Sequence, residues 1–114
     1  MTASALPDAE DRYVSGLLSA YLDLPDTPPR ARAADRVLAR SLFAQEVSLE
    51  LARAAFVLAR ARRVIRPETA APLGPVRSLH YFLPVIEELR ISPPDPAYIR
   101  HVQARLASFT SVRP

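Results

Sequence analysis

The sequence predicts an all-α fold, a compact bundle of about five helices. Apolar residues recur at three- and four-residue steps in several segments, which is the spacing of one helical face. No segment alternates apolar and polar residues for long, and only two glycines are present for the tight turns of a sheet. At 114 residues the chain has the size of one domain, spanning 1–114, with frayed ends at 1–6 and 110–114.

The first helix is expected to begin near Pro7 and to end at about Asp23. Pro7 suits a first helical turn, and the carboxylates that follow it meet the positive end of the helix dipole. The prolines of the next segment, LPDTPP, end the helix and stiffen the connection. The predicted apolar stripe consists of Tyr13, Val14, Leu17, Leu18, Tyr21 and Leu22.

A second helix is expected from Pro29 or Arg30 to Ala44, with one buried face and one arginine edge. The residues predicted to face inward are Ala31, Ala34, Val37, Leu38 and Leu42. The other edge carries Arg32, Arg36 and Arg40 at successive four-residue steps, where like charges repel one another. Such a stripe is either solvated or placed to bind an anion.

The stretch from Val47 to Arg66 is the longest without a helix breaker, and we interpret it as the central helix. Ser48 is placed to cap its first turn, and Pro67 is placed to end it. The predicted inward face consists of Leu51, Ala54, Ala55, Leu58, Ala61 and Ile65. Three arginines lie roughly opposite that face, namely Arg53, Arg60 and Arg63.

The last third of the chain predicts two further helices. The fourth, from Val76 to Arg90, contains Pro84, which predicts a kink there or a short turn followed by a helix that restarts at the proline. Asp95 and Pro96 have the residue types of an N-cap and a first helical position, so a fifth helix begins with them. Its predicted buried stripe is Tyr98, Ile99, Val102, Leu106 and Phe109.

The sequence lacks the residue types that several kinds of catalytic and metal sites require. The chain has no cysteine and no lysine, which removes thiolate zinc sites, thiol nucleophiles and Schiff-base amines. His80 and His101 have no carboxylate at a recognised metal-ligand spacing. Glu87 and Glu88 are adjacent, so on a helix they point about 100° apart and cannot work as an acid/base pair. We therefore expect no enzymatic activity, no metal and no cofactor.

The sequence shows no targeting or membrane segment. Its first residues carry no positive region followed by an apolar run. No stretch approaches the roughly 20 apolar residues that cross a bilayer. A cytoplasmic protein without membrane contact is the expectation.

The arginines give the main functional hypothesis. All 15 basic side chains are arginine, which reflects either GC-rich coding or function, and nine of them lie between positions 30 and 66 against three carboxylates. Arginine forks bind phosphates bidentately, so the second and third helices would form one positive face if they packed as a hairpin. The predicted nucleic-acid-binding residues are Arg32, Arg36, Arg40, Arg53, Arg60 and Arg63.

The segment SLHYFLPVIEEL supports an alternative function as a protein-interaction adaptor. Its aromatic residues have helical spacing, which is typical of a core, but Tyr81 and His80 would also suit a stacking surface for unpaired bases or a groove for a partner. The partner-binding residues of this alternative are His80, Tyr81, Phe82 and Glu87. The expected partner is then a larger protein complex rather than nucleic acid.

Two resemblances bear on function. DRVLARSLFAQEVSLELARAAFVLARARR resembles a bacterial helix-turn-helix, with an apolar helix, a turn near Glu46 and a capped second helix, but without the usual turn glycine. The second helix is apolar on nearly all sides, so we interpret it as a scaffold. RAADRVLAR, RSLHYFLPVIEEL and DPAYIRHVQARL together resemble short helical proteins or modules from replication and mobile-element regions of GC-rich bacteria. This resemblance implies an accessory of a complex that handles nucleic acid.

Overall fold

The computed structural model describes residues 8–67 and 69–111, and the side chains as far as Ser108. It confirms the all-α prediction, because the described residues form five helices and no strand. The predicted frayed ends lie wholly or partly outside these residues, as do Pro7 and the side chain of Phe109. The helices are α1 (Ala9–Leu22), α2 (Ala33–Ala44), α3 (Leu49–Val64), α4 (Leu83–Ile91) and α5 (Pro96–Ser111), and a 3₁₀ turn (Leu79–Phe82) precedes α4.

α3 is the central helix, as predicted. It packs against α1, α4 and α5, whereas α2 packs against α1 and the 3₁₀ turn. One apolar core runs through α1, α2, α3, the 3₁₀ turn and α4, and α5 adds a smaller cluster in which Val102 and Leu106 meet Ala61. The residues of α3 that are buried lie on several of its sides: Ala52, Ala54, Ala55, Phe56, Leu58, Ala59 and Ala61.

Side-chain caps fix the starts of three helices. The Ser48 hydroxyl accepts the Leu51 N–H at 3.0 Å, which confirms the predicted cap of α3. The Asp95 carboxylate accepts the Ala97 N–H at 2.9 Å at the start of α5. Asp8 caps α1 in the same way. These oxygens satisfy N–H groups that have no acceptor inside their helix.

The end of α3 and the start of α2 differ from the prediction. α3 ends at Val64 rather than Arg66, because the residue before a proline disfavours helical backbone. α2 begins at Ala33, several residues after Pro29, because the Asp35 carboxyl group accepts the backbone N–H of Arg32 at 2.9 Å. That bond makes Arg32 the N-cap and leaves the preceding prolines outside the helix.

The buried face of α2 is rotated from the predicted one. Val37 is 62% exposed and Ala34 is exposed, whereas Asp35 and Ala39 are fully buried beside Leu38 and Leu42. The apolar pattern predicted the wrong face because it assigns a charged residue such as Asp35 to the solvent-exposed side of the helix. The buried position of Asp35 is explained by its contacts: the other carboxyl oxygen accepts the Leu79 N–H of the 3₁₀ turn at 2.9 Å.

The turn between α2 and α3 lies near Glu46, as predicted, and needs no glycine. Glu46 adopts the left-handed conformation with φ of 61°. The Glu46 N–H donates to the Phe43 carbonyl and the Val47 N–H donates to the Leu42 carbonyl, each at 3.0 Å. This is the Schellman arrangement, in which the chain satisfies the last carbonyls of a helix as it reverses. Buried Val47 and Leu42 hold the turn against the core.

Pro84 does not kink a single long helix, so that prediction is not confirmed. The 3₁₀ turn ends at Phe82, and α4 starts at Leu83 with Pro84 in its first turn. A proline is tolerated there because the N–H that it lacks would have no acceptor inside the helix. The structure thus has a short turn followed by a helix that restarts at the proline.

The apolar stripes of the outer helices agree only in part with the prediction. In α1 the predicted stripe is buried or half-buried throughout. In α5, Val102 and Leu106 are buried and Ile99 is half-buried, but Tyr98 is 51% exposed rather than buried. α5 packs against α3 along a narrow stripe, so a residue at the side of that stripe stays accessible.

Tyr21 links burial to an expected pH dependence of stability. Its side chain is fully buried, and burial, with a smaller contribution from Asp35, raises the pKa of Tyr21 from 10.0 to about 12. Between these values the unfolded chain loses a proton that the folded chain keeps. The contribution of Tyr21 to stability is therefore fully present below pH 10. As the pH rises to about 12, the free energy of unfolding falls by roughly 2 to 3 kcal/mol because of this group.

Urea unfolding of the wild type and Tyr21→Phe across this pH range tests the expectation. The variant should lose less stability than the wild type, because it has no hydroxyl to ionise. Burial also raises the pKa of Tyr13, but Tyr13 is present in both proteins and contributes equally to their pH dependence. Parallel declines in the two proteins would contradict the assignment to Tyr21.

Candidate nucleic-acid interface

The six predicted phosphate-binding arginines do not share one groove. A single positive face required α2 and α3 to pack as a hairpin, but α2 packs mainly against α1. As a result, the arginines of α2 and those of α3 line different grooves.

The first groove, here called the α1–α2 groove, brings Arg36 and Arg40 together with Arg30. It has a volume of about 480 Å³, and its lining includes one carboxylate, that of Asp11. All three arginines are exposed, and none forms an ion pair or side-chain hydrogen bond with the residues that the structure describes. The groove also has an apolar floor, formed by Val14, Leu18 and Leu22.

Arg32 lies at the N-cap of α2 and is exposed, but it does not line the α1–α2 groove. Its charge acts on Tyr21, whose pKa it lowers slightly against the larger effect of burial. Arg32 also contributes its backbone N–H to the bond with Asp35. Arg32 therefore contributes to the start of α2 and lies outside the α1–α2 groove.

The second group lies in a pocket of about 170 Å³, here called the loop pocket, where the end of α3 meets two loops. Its arginines are Arg60, Arg63 and Arg66, and its lining includes the carboxylate of Asp26. Apolar side chains form the rest of the wall, namely Leu24, Pro25, Val64, Leu73, Val76 and Phe82. The loop from 71 to 76 is joined to the rest by a bond from the Val76 N–H to the Asp26 carbonyl at 2.8 Å.

Arg63 is occupied within the fold. Its guanidinium donates to the Gly74 carbonyl at 2.7 Å and to the Tyr81 hydroxyl at 3.1 Å, and it lies 5.3 Å from the centre of the Tyr81 ring. A weaker ion pair with Asp26, at 3.8 Å, adds to these contacts. Only 12% of the side chain is exposed, so Arg63 fastens the loop to α3 rather than facing an incoming phosphate.

The third groove, between α3 and α5, contains Arg53. Arg53 is exposed and lines a groove of about 500 Å³ with Arg100 of α5 and Glu50. Its walls are otherwise mostly apolar, with Leu51, Val57 and Ile99 among them. The structure therefore separates Arg53 from the other predicted arginines.

The prediction from helical spacing did not include Arg30. It also counted more unpaired positive charge at the end of α3 than the structure has. Arg30 precedes α2, so no helical step relates it to Arg36, and only the path of the loop brings the two together. Arg62 donates two hydrogen bonds, at 2.9 and 2.8 Å, to the carboxylate of Glu88 and thereby lowers the pKa of Glu88. That pair joins α3 to α4 and leaves little of the Arg62 charge for a ligand.

The residues of the adaptor alternative do not form one apolar surface. Phe82 is 2% exposed and belongs to the core, whereas His80 is exposed. Tyr81 is 42% exposed but accepts a hydrogen bond from Arg63. Glu87 is exposed and pairs with Arg90 at 3.2 Å. The Phe82 ring is thus out of a partner's reach.

Two kinds of feature are absent from the part of the chain that the structure describes. No helix there is both long and apolar enough to cross a bilayer. The same residues bring together no group of three or more histidine or carboxylate side chains that would hold a metal ion. The α1–α2 groove and the loop pocket each bring three arginines together. No protein-family model, curated protein or solved structure matches this chain.

Proposed function

We propose that the chain is a non-enzymatic helical module that associates with nucleic acid by contacting phosphates in the α1–α2 groove. The observation that carries the proposal is the convergence of Arg30, Arg36 and Arg40, all exposed and without partners among the described residues, on one groove. Arginine guanidinium groups bind phosphate oxygens through paired, charge-assisted hydrogen bonds. Only Asp11 opposes them with a negative charge in the groove lining.

The arrangement of α2 strengthens the case for an anion. Arg36 and Arg40 are four residues apart on one helix, so their like charges destabilise the helix by a few tenths of a kcal/mol. A phosphate between them converts this repulsion into two attractions. The apolar floor reduces the screening of these charges by water, which makes each attraction stronger than on an open surface.

Such contacts position a module on nucleic acid and do not read its sequence. Phosphates are the same at every base pair, so arginine–phosphate bonds fix orientation without carrying sequence information. This agrees with the interpretation of α3 as scaffold, because its buried residues lie on several sides and leave only a narrow exposed edge. The resemblance to replication and mobile-element modules extends the proposal to an accessory role in such a complex.

The double variant Arg36→Ala, Arg40→Ala is expected to weaken binding to a generic DNA duplex by at least about tenfold at low salt. Each lost phosphate contact removes about 0.9 from the slope of log affinity against log salt, so the slope should fall by roughly 2. Fluorescence anisotropy with a labelled duplex over a salt series measures both quantities. Both side chains are exposed, so the circular dichroism spectrum should be unchanged.

A matched control removes two exposed arginines elsewhere. Arg100 and Arg105 lie on α5, which packs against α3, and the double variant Arg100→Ala, Arg105→Ala has the same net charge as the test variant. It should keep most of the affinity and of the salt slope. Equal losses in the two double variants would mean that net charge rather than the α1–α2 groove governs binding. Absence of wild-type binding at low salt would remove the proposal altogether.

A further inference from the structure

The loop pocket contains a guanidinium that nothing in the described fold explains. The Nε of Arg60 is buried and has no hydrogen-bond partner among the described residues, and the Arg60 side chain forms no ion pair with them. Folded proteins rarely keep a buried donor unpaired, because the group has lost its water without gaining a replacement. The Arg60 side chain also lines the loop pocket, so its charge belongs to the wall that an acceptor entering the pocket would meet.

The two neighbouring arginines do have structural explanations. Arg63 and Arg66 donate to the carbonyls of Gly74 and Ala71, at 2.7 and 2.8 Å, and hold the loop beside the end of α3. Basic side chains at the end of a helix also interact favourably with its dipole. Arg60 lies a full turn earlier on α3 and donates to neither loop, so neither explanation accounts for it.

The charge and size of the loop pocket define the ligand. Three guanidinium groups face one carboxylate, Asp26, whose side chain is 66% exposed, so the pocket has an excess of two positive charges. Its volume of about 170 Å³ is close to that of a cavity, about 150 Å³, that admits benzene, so an oxyanion fits. A phosphate monoester carries between one and two negative charges near neutral pH and offers three acceptor oxygens.

We propose that the loop pocket binds a phosphate monoester group, with Arg60 as its principal ligand and Arg63 and Arg66 holding the wall in place. The pocket is separate from the α1–α2 groove, and its occupation does not depend on the function proposed for that groove. The same chemistry is found in free inorganic phosphate and in the 5′-terminal phosphate of a nucleic acid strand. Internal phosphodiesters carry less charge and would bind less well.

Inorganic phosphate added at constant ionic strength, with chloride as the balancing ion, is expected to raise the thermal unfolding temperature in a saturable way. A ligand that binds only the folded state must have this effect. Arg60→Met should abolish the rise and weaken phosphate binding by at least about tenfold in calorimetric titration. Met replaces the unpaired Nε with an apolar chain, so the variant should unfold at no lower temperature than the wild type without phosphate.

Two further variants sharpen the result. Arg60→Lys keeps the charge but loses the planar fork, so it should bind phosphate with intermediate affinity. The α1–α2 groove variant Arg36→Ala, Arg40→Ala should keep the full phosphate response while losing duplex binding. This pair of outcomes separates a failure of the phosphate site from a failure of the proposed function.

Two short oligonucleotides, one with a 5′-phosphate and one with a 5′-hydroxyl, identify the source of the group. Tighter binding of the phosphorylated strand that disappears in Arg60→Met assigns the pocket to nucleic acid ends. Equal binding of the two strands, together with the response to inorganic phosphate, assigns it to the free ion. A wild type that responds to phosphate no more than to chloride, or a response unchanged in Arg60→Met, would overturn the proposal.

Discussion

Replacing Phe82 by alanine is expected to lower the free energy of unfolding by about 3 to 5 kcal/mol. Phe82 is 2% exposed, and its ring lies edge-on to Phe56 and Tyr21, with centroid separations of 4.9 and 6.0 Å. The substitution removes these ring contacts and leaves a cavity where α1, α3 and the 3₁₀ turn meet. Urea unfolding followed by circular dichroism measures the loss.

His80→Ala provides the matched control within the same 3₁₀ turn. His80 is exposed, so its removal should change the free energy of unfolding by no more than about 0.5 kcal/mol. A stability of Phe82→Ala within 1 kcal/mol of the wild type, as for His80→Ala, would mean that the Phe82 ring is not packed as described.

The expected destabilisation by Phe82→Ala makes this variant unsuitable for testing the adaptor alternative. Loss of a protein partner in a Phe82 variant would follow from unfolding, so it carries no information about a binding surface. Tyr81 is unsuitable for a related reason, because its hydroxyl accepts a hydrogen bond from Arg63. A substitution at His80, which is exposed, avoids both problems.

Features determined by neighbouring residues were predicted well. Ser48 and Asp95 cap their helices because a side-chain oxygen reaches an N–H two or three residues ahead, which needs no information from elsewhere in the chain. The position of Pro84 likewise limited the backbone to two alternatives, and the structure has one of them. The fold class followed from the same local rules, applied segment by segment.

Features determined by distant residues were not predicted. The face that α2 buries depends on Asp35, whose acceptor role is set by the N–H of Leu79, 44 residues further along the chain. The grouping of the arginines depends in the same way on which helices pack together. Helical spacing placed Arg36 and Arg40 on one edge, but Arg30 joins them only because the preceding loop returns to α1.

The arginines of α3 show why charge counts alone are a poor guide to a binding site. Arg62 and Arg63 are adjacent arginines that a charge count treats as free surface cations. Arg62 nevertheless pairs with Glu88, and Arg63 donates to the Gly74 carbonyl and the Tyr81 hydroxyl. Their partners come from α4, the 3₁₀ turn and the loop before it. Arg60 is distinguished from them by the lack of such a partner among the described residues, which only the structure reveals.

Asp35→Ala is expected to destabilise the protein by about 3 kcal/mol, because one buried and one partly buried backbone N–H group lose their acceptors at once. Asp35 is fully buried, and its two carboxyl oxygens accept the N–H groups of Arg32 and Leu79, each at 2.9 Å. The bonds join the start of α2 to the 3₁₀ turn. Urea unfolding gives the overall loss, and faster hydrogen exchange at the Leu79 amide would locate it.

Asp35→Asn tests whether both oxygens matter, since asparagine has nearly the same shape. Its amide offers one acceptor and turns an NH₂ group toward the second N–H, so about 2 kcal/mol should be lost despite the conserved volume. At the exposed cap Asp95 the same change should cost less than about 0.5 kcal/mol, because asparagine caps helices as well as aspartate does. If Asp35→Asn were as mild as Asp95→Asn, Asp35 would be acting through its volume and not by joining two distant backbone segments.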